Sequence, residues 1–129
     1  MTAVTPMLKD QEALDPLASR YVNVESLPWK PTPYPGVDIK ILLQDEATGL
    51  MTALFRWQPG ARLPLHEHIE IEQTYVISGS LADDEGEATA GNFVWRPSGN
   101  RHVAWAPNGA LLLGMFLKPN KFLTDATEK

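Results

Sequence analysis

The chain has 129 residues, of which 43% are hydrophobic, and a formal net charge of −5. These values fit one globular domain that can bury its own core. Only 11 Lys plus Arg leave no basic stripe that could neutralise several phosphates, so we do not expect a nucleic acid as partner. The absence of cysteine excludes disulfides, thiolate nucleophiles and Cys-based zinc sites.

Residues 1–20 are mixed and polar, and they predict an N-terminal arm or a short helix that Pro16 would limit. They lack the basic start and apolar centre of a secretion signal, and no run of about 20 apolar residues follows. We therefore expect a cytoplasmic protein with no membrane as partner. Residues 21–24 predict a strand, whereas four prolines within residues 27–36 favour an extended loop.

Short apolar runs bounded by Gly, Pro, Asn or Asp then follow closely along the chain, and each predicts a strand. The runs are residues 37–44, 50–57, 72–78, 92–96, 102–106 and 110–117. Six such strands favour an all-β sandwich or barrel, which we place in one domain spanning residues 21–118. Residues 119–129 form a C-terminal tail that is polar from Lys121 onward and is expected to fray.

The first candidate metal ligands lie close together in the sequence. In an extended strand, His66 and His68 share one face while Glu67 points away. Glu72 opens an apolar run, where an inward carboxylate requires a cation or a proton to offset its desolvation. Glu70 is the alternative carboxylate ligand, or a solvated turn residue. Two imidazoles and a carboxylate suit borderline and harder divalent ions.

His102, the third histidine of the chain, follows a tight-turn signal in residues 97–101 that can aim it back into the sheet. A core histidine bonded to the backbone is the alternative interpretation, and would be preferred for an isolated residue. The joint pattern of three histidines and Glu72 favours a metal site instead.

These residues stand at the spacings of two sequence motifs. The first is Gly60-x5-His66-x-His68-x3-Glu72-x6-Gly79, and the second is Gly91-x5-Pro97-x-Gly99-x2-His102. Together they resemble the two motifs of the cupin superfamily (RmlC-like proteins). The second motif commonly ends in an Asn four positions after the His, where this chain has Ala106; that Asn is not a ligand.

Further features resemble the ChrR-type cupin branch: Trp29, Pro35-Gly36, Pro59-Gly60-Ala61 and a hairpin from Gly79-Ser80 to Asp83-Asp84. That branch includes the cupin half of zinc-dependent anti-sigma factors and small dioxygenases that cleave acetylacetone or dihydroxyacetophenone. The resemblance implies a double-stranded β-helix, a jelly-roll barrel with the metal inside one end. It implies that His66, His68, Glu72 and His102 are the ligands. It also implies a homodimer.

Other features have competing explanations. Seven aromatic residues near the motifs are either core or the lining of a substrate pocket: Phe55, Trp57, Tyr75, Phe93, Trp95, Trp105 and Phe116. The arginines near the motifs, Arg62, Arg96 and Arg101, are interpreted as solvated surface residues rather than substrate carboxylate ligands. The acidic run of residues 83–87 is interpreted as a solvated turn rather than a calcium loop.

The favoured function is an Fe(II)-dependent dioxygenase acting on a small dicarbonyl or hydroxyketone, as the resemblance implies. Zn, Mn and Ni are the alternative ions, because the ligand set suits all four. One alternative function is a non-catalytic, metal-binding or sensing cupin with a closed, tetrahedral zinc site. Another is an oxygen-independent isomerase or lyase with Tyr75 or Glu70 as the base.

Overall fold

The computed structural model describes residues 3–8 and 11–123, and within this part the regular structure is β except for two short 3-10 turns. The all-β prediction is confirmed. The turns are Gln11–Ala13 and Val24–Ser26. The strand predicted over residues 21–24 is wrong, because Val24 begins a 3-10 turn that the backbone of Asn23 closes by accepting the Ser26 N–H.

Five of the six predicted strands are found within one residue of their expected limits, the strand predicted over residues 72–78 continues to Asp83, and five further strands accompany them. In chain order the strands are β1 (Ala3–Val4), β2 (Lys30–Pro31), β3 (Val37–Asp45), β4 (Leu50–Trp57), β5 (Arg62–Glu67), β6 (Glu72–Asp83), β7 (Gly86–Thr89), β8 (Phe93–Arg96), β9 (Arg101–Trp105), β10 (Ala110–Phe116) and β11 (Lys121–Phe122). In the described part of the N-terminal arm, strand β1 pairs with β3.

The strands form one curled antiparallel sheet in the order β1-β3-β4-β10-β6-β9-β5-β11, with β2 on β3, and β7 and β8 on β6. Strand β6 makes the curl possible because its two halves have different partners. Its first half pairs with β8 and β10, and its second half pairs with β7 and, through Ala82, with Trp105 of β9. The curled sheet agrees with the double-stranded β-helix expected from the sequence.

Side chains alternate across β6 in the manner of a strand with one buried face. Glu72, Thr74 and Val76 are buried, whereas Tyr75 and Ile77 are exposed on the outer face. The buried face packs on an apolar core that includes Val37, Trp57, Ala104 and Leu112. Buried polar residues lie at both ends of β6, with Glu72 at its start and Asp83 at its end.

The C-terminal segment is ordered as far as the structure describes it. We expected fraying from Lys121, but Lys121 and Phe122 pair with Glu67 and His66 of β5, and the Leu123 N–H donates to the Leu65 carbonyl. The prediction of fraying is wrong for Lys121 and Phe122, because the Phe122 ring packs against the rings of Tyr34 and His66. Residues 124–129 lie outside the described residues. In the described part, no helix has the length and apolarity needed to cross a membrane.

Candidate metal centre

Three neighbouring segments bring the histidines together. His66 on β5 lies directly opposite His102 on β9 in the strand register. His68 follows the end of β5, where its N–H donates to the Asn100 carbonyl and its own carbonyl accepts the Gly99 N–H, at 2.8 and 2.7 Å. The turn predicted before His102 thus holds the second histidine as well.

Hydrogen bonds from Nδ1 orient two of the three imidazole rings. The Pro64 carbonyl can only accept, so the 2.8 Å contact places the His66 proton on Nδ1 and leaves the Nε2 lone pair free. His102 Nδ1 lies 2.8 Å from the Asp83 carboxylate, which orients its Nε2 in the same way. His68 Nε2 is 2.9 Å from His102 Nε2. One ligand nitrogen from each histidine lies within 4.8 Å of the others.

The three imidazoles are buried and have lowered pKa values. All three side chains are almost completely buried, and burial lowers the pKa of His66 to about 4 and of His68 to about 3. Burial and the nearby Arg96 guanidinium also lower the pKa of His102, against the opposing effect of Asp83. Neutral imidazole is the form that binds metals. The donor set, its burial and its convergence therefore fit one divalent ion.

Glu72 lines the same cavity but is not part of the group of converging ligand atoms that the described residues form. Its Oε1 is 3.4 Å from His68 Nδ1 and 3.6 Å from Arg96 Nε. Burial raises the pKa of Glu72 to about 7, with Arg96 acting in the opposite direction. The structure brings the carboxylate beside the histidines, and its role as the fourth ligand stays a prediction.

Two charged residues that sequence reasoning placed at the surface belong to the site. Asp83 and Arg96 are buried and form a 2.7 Å ion pair. Burial raises the pKa of Asp83, but its hydrogen bonds with His102 and the Glu85 N–H, and the charge of Arg96, outweigh this and leave the pKa lowered. The interpretation of Arg96 as a surface residue is therefore wrong, and the interpretation of residues 83–87 as a solvated turn is wrong for Asp83. Strand alternation in β8, which turns Trp95 outward and Arg96 inward, was the available signal.

The two candidate bases do not reach the cavity. Tyr75 is 42% exposed on the outer face of β6, opposite Phe93 in the register. Glu70 lies in the turn between β5 and β6 and is half-buried, outside the cavity lining. Glu67 pairs with Arg101 at the surface, as expected for the residue between two inward histidines.

A cavity of about 250 Å³ adjoins the histidines, with His66, Glu72, Arg96 and His102 in its wall. Of the seven predicted aromatic residues, Phe55, Trp57 and Phe116 line it. The other four are absent from the lining; of these, Tyr75, Phe93 and Trp95 are exposed large hydrophobic residues.

Two aromatic residues that the sequence did not single out also line the cavity. The rings of Tyr34 and Phe122 stack with centroids 4.6 Å apart, and the Phe122 ring is 5.2 Å from that of His66. Both residues come from segments outside the motifs, the proline-rich loop and β11. The cavity wall beside His66 is therefore apolar.

Comparison with known proteins identifies relatives at the level of fold. Residues 17–120 match the ChrR Cupin-like domain. No curated protein matches the chain. A candidate acetylacetone dioxygenase from Methylibium petroleiphilum PM1 is 23% identical, with a TM-score of 0.77 over 92% of this chain and 86% of that one.

Two further solved structures are similar. The acetylacetone dioxygenase from Acinetobacter johnsonii is 21% identical, with a TM-score of 0.75 over 87% of this chain and 83% of that one. A chain of the Rhodobacter sphaeroides complex of SigE with the anti-sigma ChrR is 23% identical, with a TM-score of 0.61 over 73% of this chain and 50% of that one.

Proposed function

The chain belongs to the ChrR cupin-like family, and from this premise we propose that it is an Fe(II)-dependent dioxygenase-like enzyme that acts on a small dicarbonyl or hydroxyketone. The observation that carries the proposal is the convergence of three buried histidine nitrogens beside an apolar cavity, whose wall includes His66 and His102. Similarity in fold to acetylacetone dioxygenases supports the substrate class.

In this proposal His66, His68 and His102 hold the ion, and Glu72 supplies a fourth ligand. Glu72 lines the cavity with its Oε1 3.4 Å from His68 Nδ1, which places the carboxylate beside the ion that the histidines would hold. A bound Fe(II) ion would supply Lewis acidity toward a substrate carbonyl and the means to react with dioxygen. Four protein ligands on an octahedral ion would leave two positions for the two oxygens of a dicarbonyl.

The remaining residues of the cavity determine what can bind beside the ion. A volume of about 250 Å³ is just below the range of roughly 300–1,000 Å³ of typical ligand pockets, which favours a small substrate. Phe55, Phe116 and Phe122 would contact its alkyl or aryl groups and exclude water. The Thr74 hydroxyl and the Arg96 guanidinium are among the polar groups of the lining that could donate to a carbonyl or enolate oxygen.

The test is to load the protein with Fe(II) under anaerobic conditions and to measure oxygen uptake with a panel of diketones and hydroxyketones. We expect uptake with at least one compound, and its loss in the His66→Ala and His102→Ala variants. No metal-dependent uptake with any compound would refute the dioxygenase. Turnover that continues without oxygen would instead support the isomerase or lyase alternative.

Similarity to ChrR favours one second candidate, a non-catalytic sensing protein with a closed zinc site. The same three histidines and Glu72 can complete a tetrahedral zinc site with no position left for substrate. Elemental analysis of gently purified protein, followed by the absorption spectrum of the cobalt-substituted form, separates the two. A tetrahedral spectrum that added diketone does not change would favour the sensor, and a spectrum that the diketone shifts would favour the enzyme.

We also propose that the chain forms a homodimer through the outer face of β6 and β8. Tyr75, Ile77, Phe93 and Trp95 are 42–55% exposed there, and Tyr75 and Phe93 are register partners. These four side chains carry no charge, so a second copy can cover them without burying an unpaired ion. Light scattering of the Trp95→Glu variant should report a monomer where the unsubstituted protein gives a dimer, and a monomer in both would refute the proposal.

A further inference from the structure

Asp83, the last residue of β6, is a buried carboxylate whose two oxygens have different partners. Oδ1 accepts the backbone N–H groups of Glu85 and Gly86, at 2.8 and 3.1 Å, and so closes the turn between β6 and β7. Oδ2 lies 2.8 Å from His102 Nδ1 and 2.7 Å from Arg96 Nη1. One side chain thus connects a hairpin turn with a candidate metal ligand.

The contact with His102 decides how that ring faces the cavity. A carboxylate can only accept, so the ring donates from Nδ1 and presents the Nε2 lone pair to His68. Pro64 orients His66 in the same way, but with a neutral carbonyl. A charged acceptor also makes the imidazole it binds a stronger electron donor to a metal. His102 therefore has the most strongly supported orientation of the three.

Arg96 is the group that keeps Asp83 in this position. Its Nη1 binds Asp83 at 2.7 Å, and its Nε faces Glu72 at 3.6 Å, with 7% of the arginine side chain exposed. Two carboxylates buried this close together repel each other unless a cation lies between them. The single positive charge of the guanidinium pairs with Asp83 and offsets part of its repulsion with Glu72. The guanidinium also occupies the side of Asp83 Oδ2 that His102 does not use.

We propose that Asp83 is a positioning residue that fixes His102 for metal binding, and that Arg96 holds Asp83 in place while pairing with Glu72. This inference rests on the proposed metal site. It has a structural consequence beyond the site, because the oxygen of Asp83 that is not bound to His102 closes the β6–β7 turn. A metal that immobilises His102 should therefore also stabilise the hydrogen bonds of that turn.

The first test compares Zn²⁺ affinity in two Asp→Asn variants by competition with a chelator. Asp83→Asn keeps an oxygen acceptor for His102 but loses the charge that Arg96 requires. We expect it to bind Zn²⁺ about 10–100-fold more weakly, the usual effect of removing a residue that orients a metal ligand. Asp38→Asn is the control, because Asp38 pairs with Arg56 at the surface, at 3.0 Å, and should bind Zn²⁺ as the unsubstituted protein does.

The second test needs no variant and applies even if Asp83→Asn fails to fold. Hydrogen exchange is measured with and without Zn²⁺ at the amides of Glu85 and Gly86, and at the amide of Ala47. The Ala47 N–H donates to the Asp45 carboxylate in an exposed turn, at 3.0 Å, and serves as the matched control. We expect Zn²⁺ to slow exchange at Glu85 and Gly86 and to leave Ala47 unchanged.

The outcomes distinguish this inference from the metal site on which it rests. Loss of Zn²⁺ binding in His102→Ala together with unchanged binding in Asp83→Asn would overturn the role of Asp83 and leave the metal site standing. Exchange rates at Glu85 and Gly86 that are the same with and without Zn²⁺ would also overturn it. Unchanged Zn²⁺ binding in His102→Ala would refute the metal site itself, and the inference with it.

Discussion

The Nε2 atoms of His68 and His102 lie 2.9 Å apart, although 34 residues separate the two histidines in the chain. The partner of His102 Nδ1 is the Asp83 carboxylate, which leaves the Nε2 lone pair of this ring directed at His68. In the metal-free protein His68 Nε2–H donates to this lone pair, and a cation that replaces the donated proton would be bound by both nitrogens.

Removal of His68 should abolish stabilisation by metal. Zn²⁺ at about 100 times its dissociation constant should stabilise the unsubstituted protein by about 2.7 kcal/mol, because an ion that binds only the folded state shifts the equilibrium by mass action. His68→Ala should show almost none of this gain in a thermal melt with Zn²⁺ and with EDTA. Glu67→Gln is the control, since Glu67 pairs with Arg101 away from the cavity. Equal gains in both variants would contradict the site.

Glu72 should contribute to metal affinity, whereas Glu70 should not. Glu72→Gln is expected to weaken Zn²⁺ binding about tenfold or more, because the charged oxygen it loses faces the cavity beside His68. Glu70→Gln removes a carboxylate from the neighbouring turn and should leave the affinity unchanged. Isothermal titration of both variants measures the difference. Equal affinities would remove Glu72 from the ligand set.

The metal-free protein should gain stability as the pH rises from about 4.5 to 6.5. The folded pKa values of His66 and His68, about 4 and 3, lie below the unfolded value of about 6.5. Acid therefore protonates these histidines in the unfolded chain first, and the free energy of unfolding decreases as the pH is lowered. Glu72 opposes this, because its folded pKa of about 7 lies above its unfolded value, and its contribution is lost as the pH rises. The two histidines outweigh one carboxyl group.

The Glu72→Gln variant tests this balance. Without the opposing carboxyl group, the free energy of unfolding in EDTA should rise more steeply with pH, by about 1.4 kcal/mol per pH unit for one proton. Urea unfolding at several pH values between about 4.5 and 6.5 measures the slope. An unchanged slope in the variant would show that Glu72 does not hold a proton in the folded protein.

Gly79 should tolerate alanine far less well than Gly91, although both occupy glycine positions of the motifs. Both have a positive φ, +71° and +83°, where alanine costs about 1–2 kcal/mol. A Cβ at Gly79 would also lie 2.0 Å from the Gly109 carbonyl oxygen, whereas a Cβ at Gly91 has no atom within 4 Å. Gly79→Ala should therefore cost more than about 3 kcal/mol in urea unfolding. Similar losses in both variants would contradict this close approach of the two segments.

Much of the fold follows from local patterns. The apolar runs bounded by turn residues predicted β3, β4, β6, β8, β9 and β10, because each run is short and has a half-buried face. The pattern missed β5 because Pro64 interrupts it: proline donates no ladder hydrogen bond, and the register with β9 shifts between Leu63 and His66. It missed β11 because two residues show no periodicity.

The candidate metal site, like the fold, was predicted only in part. The spacing of His66, His68 and His102 was sufficient to predict that they meet, and the structure brings their ligand nitrogens within 4.8 Å. Asp83 carries no comparable signal, since an acidic run is typical of a solvated surface. For Arg96 the only signal was strand alternation in β8, which does not identify its partner. The contacts of both residues became visible only when β6, β8 and β9 placed them beside His102.

By itself, the sequence determined the all-β class and the six main strands, because strand periodicity depends on residues close together in the chain, and its resemblance to the two cupin motifs predicted that His102 joins His66 and His68. Only the tertiary structure decided that Asp83 orients His102, that Arg96 lies between two carboxylates and that Phe122 covers the wall beside His66. These contacts join residues 13 to 56 positions apart. The curl of the sheet brings these residues together, and burial makes an unpaired charge costly, so each buried charge pairs with a counterion.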